Sequence, residues 1–210
     1  MTLALHGCQS VPGTVDGALA QGLQVAEAAV AADRPDLARQ LYQSLLERYP
    51  DAPAPRLRLA RIAFAQGDFR LAQAQFVDAA RLPLPQRGQA EAWFGAGRAA
   101  LALEDTASAT VHFQRARVLI DAPVEAAWIA NGLAVAATIA ADRRAADIHY
   151  REAIALDPSN SRILANYVQM LTEAGQVDEA AQIYTRQPSS FWSEGDERRL
   201  RLLLQSHLSD

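Results

Sequence analysis

No lysine occurs anywhere in the 210 residues, and all 20 basic side chains are arginine. That absence removes Schiff-base chemistry and the lysine of phosphate-binding loops. A single cysteine, Cys8, excludes any disulfide within the chain. Glycine and proline are scarce, at 11 and 10 residues, while half the chain is hydrophobic and alanine recurs in nearly every window. Such a composition predicts an almost entirely helical protein with a continuous core. The net charge of -4 argues against a broad nucleic-acid footprint. The histidines are His6, His112, His149 and His207. No Cys, Asp or Glu completes a metal set with His112 or His149. No nucleophile with a base, glycine-rich phosphate loop or paired-carboxylate motif stands out, so neither catalysis nor a cofactor is expected.

What the chain does have is a period. The stretch 127–158, AWIANGLAVAATIAADRRAADIHYREAIALDP, reads as two short amphipathic helices, with Ile129, Leu133 and Ala137 on one and Ala146, Tyr150, Ala153 and Ile154 on the other. Pro158 stops the second helix. Two such helices cannot bury their apolar faces alone, so copies on either side are required. The copies are there. Ala38, Ala72, Ala109, Ala146 and Ala180 follow one another at steps of 34, 37, 37 and 34 residues. Four residues after each comes an aromatic: Tyr42, Phe76, Phe113, Tyr150 and Tyr184. Ala79, Ala116 and Ala153 recur three further on, whereas Leu45 and Gln187 break the rule at the two ends. The small residue lets two helices lie close together, and the aromatic fills the gap to the next pair.

This pattern, with Trp93 and Gly97 opening the third copy and Gly67 and Gly175 in turns, resembles the tetratricopeptide repeat family, whose period is about 34 residues. The resemblance implies an all-α solenoid of about five helix-turn-helix repeats over residues 19–188. Residues 189–210 follow, with Ser193 and Asp196 as a capping box and Leu200, Leu203 and Leu204 on one side of a last helix that caps the solenoid's open end. Asp33 to Asp36 and Gly67-Asp68 are expected as turns, and 82–88 and 120–124 as the longer loops that hold the extra residues.

The family's binding surface is the concave wall built from the first helix of each repeat. Its groove positions carried onto this sequence are Leu23 and Glu27; then Leu57, Arg61 and Phe64; then Phe94, Arg98 and Leu101. The fourth repeat contributes Trp128, Asn131, Val135 and Thr138, and the fifth Arg162, Asn166 and Gln169. Of these, Arg61, Phe64, Phe94, Arg98, Trp128 and Asn131 form the expected partner-binding set. Arg61 and Arg98 share one repeat position, and beside the aromatics they suit a peptide with an acidic group and large apolar side chains. The lysine-based carboxylate clamp of chaperone-binding repeats is ruled out by the missing lysine. The alternative is purely structural: Glu27 neutralises Arg61, and the aromatics only fill spaces between helices.

Two further resemblances bear on location. Leu5-His6-Gly7-Cys8 resembles the end of a bacterial lipoprotein signal, followed by a polar spacer within residues 1–18, although His6 departs from the usual small or aliphatic residue. The apolar run before it, Leu3 to Leu5, is far below the roughly 7–15 residues an export signal needs, so the expectation includes a start codon further upstream. Lipidation of Cys8 with Gln9 next to it implies the periplasmic face of the outer membrane; without it the chain is a cytoplasmic or periplasmic adaptor. Asn131-Gly132-Leu133, Tyr150-Arg151, Leu156-Asp157-Pro158-Ser159-Asn160 and Asn166 resemble the tetratricopeptide lipoprotein of tight-adherence (Flp) pilus systems, with Ala134 in place of the usual glycine. That resemblance covers about a quarter of the chain. It implies a non-enzymatic scaffold that helps assemble or localise a pilus secretin, or binds another pilus assembly subunit.

Overall fold

Proline and aspartate start most of the helices. Pro35, Pro53 and Pro123 stand in the first helical turn, where the missing amide costs nothing. Asp68, Asp105 and Asp142, one per repeat, each accept a hydrogen bond from the backbone amide three residues on, at 3.2, 3.0 and 3.0 Å. The computed structural model describes residues 13–208. Five antiparallel helix pairs result: α1 (Gly13–Ala31) with α2 (Pro35–Arg48), α3 (Pro53–Ala65) with α4 (Phe69–Arg81), α5 (Gln86–Ala102) with α6 (Thr106–Arg117), α7 (Pro123–Ile139) with α8 (Arg143–Leu156), and α9 (Ser161–Glu173) with α10 (Val177–Arg186). A 3-10 turn, Ser189–Phe191, leads into α11 (Glu194–Leu208). No strand occurs among the described residues.

Within each pair the turn is the same device. One residue takes a left-handed conformation: Asp33, Gly67, Glu104, Ala141 and Gly175, with φ of 55°, 80°, 58°, 59° and 82°. The next amide then reaches back to a carbonyl of the preceding helix, as Asp105 does to Ala100 at 3.0 Å and Gln176 to Leu171 at 2.8 Å. These are Schellman closures, which satisfy the free carbonyls of a helix end. Only two of the five carry the glycine that makes the conformation easy, and for that reason only those two were visible as turn glycines.

The small-and-aromatic register packs the pairs together. Ala38, Ala72, Ala109, Ala146 and Ala180 are all completely buried. Tyr42, Phe76, Phe113 and Tyr150 are buried beside them, whereas Tyr184, in the last pair, is only half-buried. Phe113 is pressed between two glycines: a Cβ on Gly97 would come within 2.7 Å of its ring, and one on Gly132 within 2.6 Å. Thus one aromatic on α6 joins its own repeat to the next. At the far end α11 packs on α9 and α10 and buries Leu200 and Leu204, with Trp192 stacked on Tyr184 at 5.5 Å.

Three boundaries differ from the sequence reading. Helix α1 begins at Gly13, six residues before the expected boundary at 19, so the end of the expected spacer is helical. Gln86, Arg87 and Gly88 belong to α5, and Pro123 and Val124 to α7, which shortens both expected loops. In each case the helix extends because nothing in the added turn breaks it, and proline is tolerated at a helix start. Cys8 and the expected lipoprotein signal lie outside the described residues. Among the described residues no helix is long and apolar enough to cross a membrane.

Candidate peptide-binding groove

The first helices of the repeats form one continuous face, with α3 packed on α5, α5 on α7 and α7 on α9. On that face lies a cleft of about 420 Å³. Helix α5 supplies Phe94, Arg98 and Leu101, α7 supplies Trp128, Asn131 and Val135, and α9 supplies Arg162. Phe113 closes it from below, its ring 5.7 Å from that of Phe94. Residues 68 positions apart in the chain meet here because a helix turns the same face inward in every repeat. Four of the six residues of the expected binding set, Phe94, Arg98, Trp128 and Asn131, therefore line one cavity.

The two arginines of the expected set differ. Arg61 is tied to Glu91 of the next repeat, while Glu27 pairs with Arg58 at 2.6 Å. The expected pairing of Glu27 with Arg61 is therefore incorrect. Arginine reaches across several turns, and the structure supplies a nearer acid to each guanidinium. Arg98 has no such partner: among the described residues no carboxylate forms an ion pair with it or with Arg162. Its guanidinium lies over the Phe64 ring, 4.6 Å from the centroid, a cation–π contact. Partial desolvation in the cleft lowers its pKa, and the charge of Arg162 lowers it further. Two cations facing each other without an acid leave a positive field in a largely apolar cleft.

Asn131, which is buried, accepts a hydrogen bond from Asn166 Nδ2 at 3.1 Å, so the two repeat-equivalent asparagines support one another. Phe64 packs in the core and edge-on to Phe69 at 5.3 Å, serving as the platform for Arg98. Leu23 and Leu57 are not groove residues. Both pack into the core, with Leu57 only 8% exposed, because the inward apolar stripe is wider than the periodic pattern alone defines. Thr138 donates back to the Ala134 carbonyl at 2.9 Å and lines a separate hollow. Gln169 is held by Glu173 at 2.7 Å and by Arg199 of α11 at 2.8 Å, so the capping helix secures the end of the face.

The remaining titratable clusters are structural. His112 stacks on Trp93 at 5.5 Å, and burial, aided by Arg115, keeps it neutral to lower pH. His149 approaches Glu152 at 3.4 Å. No group of three potential metal ligands gathers among the described residues. Sequence reasoning missed Glu91 and a second cleft between α1 and α3, described below. The one available signal for the latter was a tyrosine at position 42, where the next two repeats have phenylalanine.

A tetratricopeptide repeat model matches residues 29–93. No curated protein matches the chain. Solved structures are similar over nearly its whole length. MamA, from residue 41 to its end, of Desulfovibrio magneticus RS-1 is 15% identical with a TM-score of 0.72, covering 84% of this chain and 94% of that one. YrrB, described as a tetratricopeptide protein with an unusual peptide-binding site, is 12% identical with a TM-score of 0.67, covering 95% and 100%. PilF of Pseudomonas aeruginosa is 15% identical with a TM-score of 0.68, covering 92% and 90%. At such identities the likeness establishes the fold. The chain is a tetratricopeptide-repeat solenoid, a fold that serves as a scaffold for binding proteins and peptides.

Proposed function

We propose that this chain captures an acidic, apolar-rich segment of a partner protein in the α5–α7–α9 cleft, and that it does so as an outer-membrane lipoprotein assisting a tight-adherence pilus secretin. The observation that carries the binding reading is that Arg98 and Arg162, neither of them ion-paired among the described residues, stand beside Phe94 and Trp128. A carboxylate of the partner fits between the two cations, and large side chains fit against the rings, where desolvation strengthens both contacts. The pilus assignment is supported by the run from Asn131 to Asn166 and its resemblance to the lipoprotein of those systems. The anchor is supported by Leu5-His6-Gly7-Cys8.

A photo-crosslinking residue at Val135, in the cleft, with one at Val111 on an exposed surface as control, tests the reading in cells that carry the gene with its native upstream region. A Val135-specific adduct with the secretin, in an outer-membrane fraction where mass spectrometry finds Cys8 acylated, is the expected result. An unmodified N-terminus in the soluble fraction, with an adduct to another protein, would replace the pilus role with a soluble adaptor.

A further inference from the structure

The first repeat is set apart from the others. Helices α3 and α5, α5 and α7, and α7 and α9 pack closely, whereas α1 and α3 approach each other less closely and meet through side chains such as Glu27 and Arg58. The space between them is a cleft of about 610 Å³, larger than the one described above. Val30 and Ala31 of α1 and Ile62 and Ala65 of α3 give it apolar walls. Tyr42 reaches it from α2 behind.

Tyr42 is completely buried, and among the described residues no group pairs with its hydroxyl. A buried phenol normally finds a partner, and leaving one without a partner is costly. The equivalent tyrosine three repeats on shows what is missing. Burial raises the pKa of that residue, Tyr150, and the neighbouring Thr138 side chain lowers it. Thr138 stands eight residues before Ala146, as Val30 stands eight before Ala38. Valine at that position offers the Tyr42 hydroxyl no hydrogen bond, and Tyr42 stands at the back of the cleft. The neighbouring charges are largely engaged with one another, Glu27 with Arg58 and Arg61 with Glu91. An apolar cleft with balanced charge and one unsatisfied hydroxyl selects a neutral, bulky side chain that carries a single hydrogen-bonding group.

We propose that the α1–α3 cleft is a second subsite of the same binding face, taking a tyrosine or tryptophan side chain of the partner segment whose polar tip hydrogen-bonds the Tyr42 hydroxyl. The proposal rests on the reading of the chain as a peptide-binding scaffold. It makes the recognised segment bipartite, with a polar-tipped aromatic at the first repeat and an acidic group at the third to fifth.

The test uses the whole chain with methyl-labelled Val and Ile, titrated in NMR with p-cresol and 3-methylindole, the side-chain analogues of tyrosine and tryptophan, and with toluene as the analogue lacking a polar tip. The expected result is shifts concentrated at Val30 and Ile62 and a preference for p-cresol over toluene of about threefold to tenfold, the worth of one net hydrogen bond. Tyr42→Phe, which changes no packing volume, removes that preference while toluene binding stays. Val30→Thr, which places a hydroxyl at the repeat position where Thr138 stands beside Tyr150, removes it in a chain whose phenol is intact. Equal binding of p-cresol and toluene, or a preference that survives Tyr42→Phe, overturns the proposal, because the hydroxyl is then out of reach of the cleft's occupant. The same titration on Arg98→Glu separates the two readings. A loss of acidic-peptide binding there must leave the p-cresol shifts in place, and failure of the acidic cleft alone leaves this subsite standing.

Discussion

The guanidinium of Arg98 lies 4.6 Å from the centre of the Phe64 ring, one repeat away, and no acid among the described residues pairs with it. The neighbouring Arg61, at the same position of the preceding repeat, is neutralised by Glu91. Repetition thus placed two arginines alike, and the local acids made only one of them available. An arginine held on an aromatic face keeps its charge and a fixed orientation, and loses little further freedom when it meets a carboxylate.

Replacing Arg98 with glutamate is expected to weaken an acidic peptide containing Phe and Leu by roughly tenfold to a hundredfold, the loss of a charge-assisted hydrogen bond. Fluorescence anisotropy reads the affinity. Circular dichroism is expected to show unchanged helicity and melting, since the side chain is on the surface. Unaltered binding would place the partner elsewhere.

The Phe113 cup makes a packing prediction. Gly132→Ala puts a methyl group within 2.6 Å of the ring, and the overpacking is expected to cost ~1–3 kcal/mol in chemical denaturation. Ala146→Trp, at a completely buried position, should prevent folding of the fourth repeat outright. A variant melting like the parent would contradict the repeat register.

The left-handed turns predict the opposite sign. Glu104 and Ala141 occupy φ of 58° and 59°, where a side chain is strained. Glycine at either place is expected to stabilise the protein by ~0.5–1 kcal/mol, the strain relieved less the extra entropy of glycine in the unfolded chain. Thermal unfolding of Ala141→Gly checks this. A lower melting temperature would mean that the alanine methyl makes a contact worth more than the strain.

Asp105 predicts an acid limb. Its hydrogen bonds from Ser108 lower its pKa below the ordinary 3.8. A carboxylate depressed in the folded state stabilises it above the unfolded pKa, and that contribution is lost as pH falls through the folded value. Stability is therefore expected to fall below about pH 4, and Asp105→Asn, which keeps a capping oxygen but does not titrate, should flatten that decline. Urea midpoints from pH 5 down to pH 2 measure it. Parallel curves would assign the acid sensitivity to other carboxylates.

Much of the architecture was legible because a solenoid writes its contacts into a linear period. Ala109 and Phe113 face the same neighbours as Ala72 and Phe76, so spacing along the chain stands in for spacing in three dimensions. Leu23 and Leu57 were misplaced for the complementary reason. A helical stripe is wider than one residue, and a shift of about 100° separates groove from core. The pairing of Arg61 with Glu91 was equally hidden, since a long side chain chooses between acids on α1 and α5 by distance alone.

The sequence by itself determined the class of fold and the number of repeats, because turn chemistry and small-residue packing recur with the period of the chain. Tertiary structure alone decided which groove arginines lack an ion pair among the described residues, and that a cleft opens between α1 and α3 in front of Tyr42. Those outcomes depend on separations between side chains on different helices. A pattern of residue types does not encode such separations.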